Sequence, residues 1–271
     1  MGFDEFLKEV VPLFGLQWRP FRRRRVKRRI EGRVAEVGLS HFDEYLLKVK
    51  KDPEEQVRLC EILTVTISRF YRDRKVFDLL ENCVIPAITK NRNEKDEFKI
   101  WSIGCANGEE PYSLSMSWKT KFEKDFPKIR LGILATDINE NLLKRAGEGR
   151  YKKSSLKEVP EEIIGRFFKI ENGFYVIDRS VQESVAFRKH DIIHEEPFPG
   201  MDIVSCRNSA FTYFSKDCQM DVLKKIFRSL NERGYFIIGK DEVFPLTYPT
   251  LFGPIFPIER IYQKFNQNSA G

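Results

Sequence analysis

The sequence has few of the residues that build disulfide frameworks or metal sites. Its cysteines are odd in number and show no C-x-x-C spacing, at Cys60, Cys83, Cys105, Cys206 and Cys218. This pattern predicts reduced, mostly buried thiols in a cytoplasmic protein. Two of the three histidines, His190 and His194, stand four residues apart, which would bring their rings together on a helix. The residues around them predict a strand and a loop instead, so we expect no metal ion.

Long apolar runs are also missing from the chain. No run approaches the roughly 20 residues that a membrane-spanning helix needs, and the first residues, MGFDEFLKEV, lack the layout of a signal peptide. We expect no membrane insertion, a cytoplasmic location and a monomer. The 271 residues are 41% hydrophobic and include 23 phenylalanines, so the chain can form one large domain or two modest ones.

The net charge of +7 is unevenly distributed along the sequence. Nine of the fifteen residues from Arg19 to Arg33 are Arg or Lys, and most of them lie in the segment Arg22–Arg29. Apolar residues recur among them at helical spacing, so one face of a helix can pack while the others remain cationic. The segment is either a solvated helix face or a binding surface for an acidic protein or a nucleic acid. We favour a binding surface, because so many like charges repel one another.

The pattern of apolar residues changes along the chain. Residues 1–75 contain several helical patterns and no convincing strand, which predicts a basic, all-α N-terminal domain. Residues 76–97 predict a linking helix and a polar loop. In residues 98–271, strand-length apolar runs alternate with helical patterns, which predicts a mainly parallel sheet covered on both faces. The predicted strands are 98–103, 131–136, 185–189, 201–206 and 234–239, and the main predicted helices are 113–123, 139–147 and 216–231.

An insertion interrupts this alternation at about residues 160–184. A helical stretch from Pro160 to Phe168 is followed by Asn172-Gly173, which alternating apolar residues flank. Asn-Gly supplies the two left-handed backbone positions of a type I′ turn. We therefore predict a small antiparallel β-hairpin subdomain here.

The segment Ile103–Tyr112 is the most informative part of the chain. It follows a predicted strand, precedes a predicted helix and contains Gly104 and Gly108, which is how an open α/β sheet binds a nucleotide-like ligand. A dinucleotide-binding loop reads G-x-G-x-x-G and directs a helix N-terminus at a pyrophosphate. Here Glu109 and Glu110 stand where the phosphate would lie. Negative charge suits a cationic ligand, which points to S-adenosylmethionine and away from NAD.

Polar residues also follow the other predicted strands. Asp137 ends the second strand, where it can accept both ribose hydroxyls or instead cap the following helix. Asp191 and Ile192 follow the third strand and offer a carboxylate and backbone amides near an adenine edge, and Arg207-Asn208 follows the fourth. The carboxyl ends of parallel strands meet at one edge of a sheet, so we expect these groups to converge on one site.

Four strings of the sequence together resemble the CheR-type chemotaxis receptor methyltransferases. They are Thr66-x-Ser68-x-Phe70-Tyr71-Arg72, Gly104-x-x-x-Gly108-Glu109-Glu110-Pro111-Tyr112-Ser113, Thr136-Asp137-Ile138 and Cys206-Arg207-Asn208. The resemblance covers nearly the whole chain. It implies a Rossmann-like class I methyltransferase domain with a mostly parallel sheet of the seven-stranded type, an inserted antiparallel β-subdomain and an all-α N-terminal domain. It also implies methyl transfer from S-adenosylmethionine to glutamate side chains of chemoreceptors, with S-adenosylhomocysteine as the product.

The resemblance assigns cofactor contacts to the methyltransferase domain. The loop Gly104–Gly108 would let backbone approach the cofactor. Glu110 would hold the methionine end, and Asp137 would hold the ribose. Asp191-Ile192 would border the adenine, and Arg207-Asn208 would line the crevice near the methionine part.

Other residues are assigned to the reacting centre. Thr66, Ser68 and Arg72 would come from the N-terminal domain and close over the cofactor, with Arg72 near the methyl group. Tyr213 would stand beside that group. The implied partner is an acidic protein such as the cytoplasmic domain of a chemoreceptor, and Arg22–Arg29 is the candidate surface for it.

Three departures from the family pattern loosen the assignment of the substrate but leave methyl transfer intact. Thr66 stands where Asn is usual, and Ser68 stands where Thr is usual. The stretch between Asn208 and Tyr213 is one residue longer than usual. The usual Gly-His-Ser-Glu string is replaced by Gly239-Lys240-Asp241-Glu242.

Two alternative functions stay open. The arginine run favours a methyltransferase acting on nucleic acid, but amino-group methyltransferases read Asn-Pro-Pro-aromatic, and here Ser209 and Ala210 follow Asn208. The other alternative is a regulatory module that binds S-adenosylmethionine or S-adenosylhomocysteine without transferring a methyl group. The presence of Glu110, Asp137 and Arg72 argues against that module.

Overall fold

The computed structural model describes residues 1–63, 68–90, 97–243 and 251–265. The chain divides into two compact units. The first unit comprises Met1–Ile67 together with Thr212–Gln219, and the second comprises Ser68–Phe211 together with Met220–Gly271. The division predicted from the sequence, at residues 75 and 97, remains a proposal.

The N-terminal part of the first unit is helical, as predicted. Its helices are α1 Phe3–Val10, α2 Arg24–Glu36, α3 Phe42–Lys51 and α4 Pro53–Leu63. Short 3-10 turns at Val11–Phe14 and Arg19–Phe21 lie between α1 and α2. Pro53 suits the first position of α4, where a backbone N–H needs no partner. The Asp52 side chain accepts hydrogen bonds from the N–H groups of Glu54 and Glu55, so the Asp52-Pro53 pair separates α3 from α4.

The arginine-rich helix α2 buries only its apolar stripe. Val26, Ile30 and Val34 are buried among the side chains of the first unit. The arginines and the lysine of Arg22–Arg29 are exposed. The predicted amphipathic pattern is therefore confirmed, and the contacts of the cationic faces are peripheral, such as the hydrogen bond from Arg29 to the Glu61 carbonyl at 3.1 Å.

A partly buried ion pair joins α2 to α3 and α4. Arg33 donates through Nε and Nη2 to the two carboxylate oxygens of Glu55, at 2.9 and 2.7 Å. The Tyr45 hydroxyl donates to Glu55 Oε1 at 2.6 Å. Glu55 is buried, and the hydrogen-bonded Arg33 guanidinium holds the pKa of its carboxyl below the usual range. The pair stabilises the packing of three helices.

The second unit contains two sheets in its described residues. The strands are β1 Glu97–Ile103, β2 Arg130–Asp137, β3 Arg150–Tyr151, β4 Phe168–Glu171, β5 Phe174–Ile177, β6 Val185–Lys189, β7 Met201–Cys206, β8 Leu230–Ile238, β9 Phe252–Phe256 and β10 Ile261–Lys264. Seven of them form one sheet in the order β6-β2-β1-β7-β8-β10-β9. The first five are parallel, and β10 is antiparallel to both of its neighbours. The predicted fold class, a Rossmann-like domain with a mostly parallel sheet, is confirmed.

Helices lie between most of the parallel strands in sequence. The helices after residue 68 are α5 Arg74–Leu79, α6 Ile85–Thr89, α7 Glu109–Lys121, α8 Glu140–Glu148, α9 Glu161–Phe167, α10 Arg179–Gln182, α11 Ala210–Tyr213 and α12 Lys216–Ser229. A π-helical turn, Leu80–Val84, joins α5 to α6. Across the described ranges, no helix combines the length and the apolar character that a membrane crossing requires.

The five strands predicted for the large sheet are present as β1, β2, β6, β7 and β8. All residues of β7 are buried, as expected of a central parallel strand that is covered on both faces. The two antiparallel strands β9 and β10 are not predicted by the sequence pattern. Gly253 and Pro254 in β9 are typical of turns, and β10 is only four residues long.

The predicted hairpin is present as β4 and β5. Asn172 and Gly173 connect the strands with φ angles of 50° and 76°, which are the two left-handed positions of a type I′ turn. β3 adds a third antiparallel strand, giving the order β3-β5-β4. With two residues, β3 is too short to produce a detectable alternation in the sequence.

Candidate active site

The large sheet has a switch point at β1. β1 lies between β2 and β7. The chain proceeds from β1 towards β6 on one side and then returns to β7 and β8 on the other. Ligands of open α/β sheets bind outside the carboxyl ends of the strands at such a point. The loop Gly104–Gly108 follows β1 and Arg207-Asn208 follows β7, so both predicted segments lie there.

The loop after β1 needs glycine at both ends. Gly104 and Gly108 have φ angles of 69° and 86°, which glycine adopts without steric cost. A Cβ at Gly104 would lie 2.3 Å from Ser209 Oγ, and a Cβ at Gly108 would lie 3.0 Å from the Cβ of Ala146. The N–H of Gly104 donates to the Thr136 carbonyl at 2.8 Å, which fixes the loop to the end of β2.

Arg207 lies in a cluster of charges that we call the Arg207 cluster, formed by Arg207, Glu110 and Asp73. Nη1 of Arg207 donates to Glu110 Oε2 at 3.0 Å, and Nη2 donates to Asp73 Oδ2 at 2.7 Å and to the Arg72 carbonyl at 2.8 Å. Glu110 Oε1 accepts a hydrogen bond from the Ser102 hydroxyl at 3.0 Å. The Arg207 side chain is 3% exposed. The cluster therefore joins β1, α7 and β7 to the segment before α5.

This arrangement alters the origin of the negative charge near the loop. The sequence attributes that charge to Glu109 and Glu110, but Glu110 is paired with Arg207. Glu109 is buried, and burial raises the pKa of its carboxyl even though the Ser68 hydroxyl donates a hydrogen bond to it. Within the described residues, Glu109 Oε2 has no hydrogen-bond partner. The Arg207 cluster supplies the formal negative charge instead, because its two carboxylates face one guanidinium.

Asp137 lies at the end of β2, as predicted. Its Oδ2 accepts a hydrogen bond from the Ala106 N–H at 3.0 Å, and its Oδ1 accepts one from the Asn139 N–H at 2.9 Å. Burial raises the pKa of Asp137, and the backbone donors oppose that change. The alternative role as a cap for α8 is wrong, because the Asn139 side chain accepts the N–H groups of Asn141 and Leu142. Asp137 instead connects the loop after β1 to the end of β2.

Asp191 and Ile192 lie in a compact loop after β6. Asp191 Oδ1 accepts the Ile193 N–H at 2.9 Å, and its Oδ2 lies 2.7 Å from His194 Nδ1. His190 Nε2 lies 3.0 Å from the Glu196 carbonyl. The two histidines therefore have different partners, and no group of potential metal ligands occurs among the described residues.

A lysine that the sequence analysis does not single out holds this loop. Lys225 of α12 donates through Nζ to three backbone carbonyls, those of Ile192, Ile193 and Glu195, at 3.0, 2.7 and 2.7 Å. Ile192 is buried. The ammonium group thus fixes the part of the loop that is predicted to border the adenine.

Arg72 and Asn208 are brought together, although 136 positions separate them in sequence. Nη2 of Arg72 donates to Asn208 Oδ1 at 3.1 Å. Asn208 has a left-handed backbone with φ of 55°. Its N–H donates to Glu242 Oε2 at 2.8 Å. Glu242 is a second residue that the predicted site does not contain, although the departing string Gly239–Glu242 draws attention to it.

Tyr213 and Thr66 are the two predicted site residues that do not lie with the others in the described part of the second unit. Tyr213 belongs to the first unit: its carbonyl accepts the Gln17 N–H at 2.8 Å, and its ring stacks on Phe21 with centroids 5.3 Å apart. Thr66 lies outside the described residues. Ser68 and Arg72, predicted to come from the N-terminal domain, belong to the second unit.

Comparisons with known proteins cover nearly the whole chain. Residues 1–64 match the family model described as CheR methyltransferase, all-alpha domain, and residues 66–256 match the model described as CheR methyltransferase, SAM binding domain. A chemotaxis protein methyltransferase of Listeria monocytogenes is 30% identical over 88% of this chain and 88% of that protein. The chemotaxis protein methyltransferase of Borreliella burgdorferi is 27% identical over 88% and 87% of the two chains. Chemotaxis protein methyltransferase 2 of Pseudomonas aeruginosa is 26% identical over 89% and 86%.

Proposed function

The chain belongs to the CheR family of S-adenosylmethionine-dependent methyltransferases, and we propose that its acceptors are glutamate carboxylates of a chemoreceptor. The predicted family, cofactor and methyltransferase activity are confirmed by the family match. Several relatives that match over most of their length are named as chemotaxis protein methyltransferases, which supports a chemoreceptor as the protein substrate. The observation that carries the acceptor class is Arg72, whose guanidinium is held by Asn208 at the switch point.

The residues of the second unit fit S-adenosylmethionine. When bound, this molecule supplies an electrophilic methyl group on a positively charged sulfur. The Arg207 cluster offers a matching negative charge beside the loop Gly104–Gly108. The two oxygens of a carboxylate provide about four acceptor positions, and Asp137 uses one on each oxygen for a backbone N–H. Asp137 can therefore also accept hydrogen bonds from the ribose hydroxyls. Glu110 likewise has one described donor on each oxygen, so it can also accept a hydrogen bond from the ammonium group of the methionine part.

The acceptor needs little chemical activation. An ionised glutamate is already a nucleophile, so an oxygen lone pair forms the new O–CH3 bond while the S–CH3 bond breaks, and no general base is required. The remaining task is to align the carboxylate with the methyl carbon and to exclude water. A guanidinium can orient a carboxylate through two hydrogen bonds, and we assign that role to Arg72. Tyr213 is assigned to steer the acceptor or the methyl group through its hydroxyl.

The exposed cations of α2 are proposed to bind the acidic protein. Arg23, Arg24, Arg25 and Arg28 make no ion pair within the described residues, whereas Arg22 pairs with Asp4 at 2.8 Å. Burial and, to a lesser extent, the neighbouring Arg25 lower the pKa of Arg29, the direction expected where like charges lie close together. An acidic surface would relieve this repulsion, and its binding should weaken as salt is added.

The acceptor class is tested with S-adenosylmethionine labelled in its methyl group. The purified protein is incubated separately with a chemoreceptor cytoplasmic fragment, with the same fragment carrying Gln at its candidate glutamates, and with RNA and DNA. We expect label on the first fragment only, released by mild base as expected of a methyl ester. Base-stable label on nucleic acid would support the alternative acceptor. Binding of the cofactor without transfer to any acceptor would support a regulatory module.

A further inference from the structure

We infer that Glu242 is a positioning residue that fixes Arg72 for methyl transfer by holding Asn208. The inference rests on the proposed role of Arg72. It concerns the string Gly239–Glu242, which follows β8 and to which the proposed function gives no role.

The Glu242 carboxylate joins the ends of two neighbouring strands. It is 3% exposed. Its Oε2 accepts the N–H groups of Gly239 and Asn208 at 2.6 and 2.8 Å, and its Oε1 accepts that of Ser209 at 3.1 Å. Gly239 directly follows β8, and Asn208 and Ser209 follow β7. One buried side chain therefore sets the distance between these two loops at the carboxyl edge of the sheet.

The three hydrogen bonds also stabilise an unusual backbone. Asn208 is left-handed, a conformation that a residue other than glycine keeps only where its surroundings enforce it. Glu242 holds the N–H groups of Asn208 and of the next residue. The backbone of Asn208 is thereby fixed, and its side chain is directed at Nη2 of Arg72.

Gly239 shows how closely these groups approach one another. A Cβ at this position would lie 2.9 Å from Asn208 Oδ1 and 2.9 Å from Glu242 Oε2. The side-chain amide of Asn208 and the Glu242 carboxylate thus both lie where a side chain at position 239 would begin. Asn208 links the two side chains, because its N–H donates to Glu242 and its Oδ1 accepts from Arg72.

A carboxylate suits this position better than an amide. The three backbone groups described above are N–H donors, and a carboxylate has only acceptors. A glutamine of the same shape would place its NH2 group against at least one N–H donor. Glu242→Gln should therefore loosen Asn208 with little change of volume, and Glu242→Asp should preserve the acceptors on a shorter side chain.

The test is a double-mutant cycle on Glu242→Gln and Arg72→Ala, with turnover measured at saturating S-adenosylmethionine and a chemoreceptor fragment as acceptor. We expect Glu242→Gln to lower kcat about tenfold and to leave the affinity for S-adenosylmethionine within about threefold. In the Arg72→Ala background the same change should have almost no further effect. Glu242→Asp should restore part of the lost turnover.

The outcomes distinguish this inference from the proposed function. If Arg72→Ala alone leaves kcat unchanged, the proposed role of Arg72 is wrong. If Arg72→Ala lowers kcat and Glu242→Gln lowers it by the same factor in both backgrounds, Glu242 acts independently and the inference is overturned.

A matched control is Asp202→Asn. Asp202 is also a buried carboxylate; it accepts the Lys99 N–H and Asn231 Nδ2, both at 2.8 Å, but near the amino end of β7. It should lower the melting temperature without lowering kcat per folded molecule, and an equal kcat loss would make the role of Glu242 merely structural. If Glu242→Gln does not fold, Asn208→Gly replaces it in the cycle. This variant keeps the left-handed backbone, so wild-type turnover would overturn the inference.

Discussion

Each unit of the molecule contains an arginine hydrogen-bonded to a carboxylate, and the two arrangements differ in what surrounds them. In the first unit, Arg33 meets Glu55 in a bidentate pair that Tyr45 completes. In the second, Arg207 holds two separate carboxylates and a backbone carbonyl. The first pair joins three helices. The Arg207 cluster lies at the switch point of a parallel sheet, where ligands bind.

The comparison indicates that the role of an ion pair depends on which elements of the fold it joins. Both arginines are fixed by charge-assisted hydrogen bonds of similar length. Arg33 brings together neighbouring helices, so its removal affects packing. Arg207 brings together the ends of β1 and β7 and the segment that carries Arg72, so its removal also displaces the groups proposed to act on the acceptor.

The largest expected effect comes from Arg207→Leu compared with Arg33→Leu. Removing Arg207 leaves Glu110 and Asp73 without their cation, which should lower stability by about 3 kcal/mol and turnover about a hundredfold. Arg33→Leu should also lower stability but leave turnover per folded molecule unchanged. Urea unfolding and initial rates measure the two quantities. Equal losses of turnover in both variants would contradict the claim that Arg207 has a functional role that Arg33 lacks.

A smaller effect is expected for Glu55→Gln, which should lower stability by about 2 kcal/mol at neutral pH because the three hydrogen bonds to its carboxylate change. Arg33 lowers the pKa of Glu55 in the folded state, so the unfolded chain binds more protons around that pKa. The advantage of the wild type should persist above about pH 4.3, the usual value for glutamate, and disappear as pH falls through the lower folded value. Denaturant unfolding across this pH range checks it; a gap independent of pH would contradict the pairing.

The next effect is a weaker affinity for S-adenosylmethionine when the loop bound by Lys225 is released. Lys225→Met removes the ammonium group from three carbonyls, so the loop with Asp191 and Ile192 should become less ordered. We expect the dissociation constant of S-adenosylmethionine to rise about fivefold, roughly 1 kcal/mol, with kcat at saturation unchanged. Titration calorimetry measures the constant. Lys224→Met is the matched control, since Lys224 pairs with Asp221 at the surface; equal effects would remove the assigned role of Lys225.

The smallest effect is a reversed pH dependence at Glu109. Burial raises the pKa of this carboxyl in the folded state, so the folded chain binds more protons and the wild type loses stability as pH rises from about 4.3. Glu109→Gln cannot ionise at this position, so its stability relative to the wild type should increase as pH rises from about 4.3. The sign is opposite to that for Glu55. The same direction for both carboxylates in pH-dependent unfolding would contradict the assignment of Glu109 as a carboxyl whose pKa is raised by burial.

Much of the fold is predictable because it leaves local patterns. The parallel strands are apolar runs of strand length, and Asn172-Gly173 specifies its turn with two adjacent residues. The stripe of Val26, Ile30 and Val34 predicts the buried face of α2 despite the arginines around it. The strands β3 and β10 leave no such pattern, because they are short and pair with strands distant in sequence. The strand β9 contains Gly253 and Pro254, which are typical of turns.

The location of the candidate site is predictable from the sequence, but the hydrogen bonds and ion pairs within it are not. Strand ends identify Gly104, Asp137 and Asn208, since parallel strands present their carboxyl ends at one edge. The pairing of Arg207 with Glu110 spans 97 positions, and no sequence spacing encodes it. The role of Lys225 is not predictable for another reason: its partners are backbone carbonyls, which every residue type carries.

The measurement that tests the central claim most directly is the separation of kcat from cofactor affinity in Arg72→Ala. Arg130→Ala is the control, because Arg130 is a surface cation paired with Glu97. With a chemoreceptor fragment as acceptor, we expect Arg72→Ala to lower kcat about a hundredfold and to change the dissociation constant of S-adenosylmethionine less than about fivefold, with Arg130→Ala unchanged in both. Turnover near that of the wild type, or a loss confined to cofactor binding, would contradict the claim that Arg72 orients the carboxylate for methyl transfer.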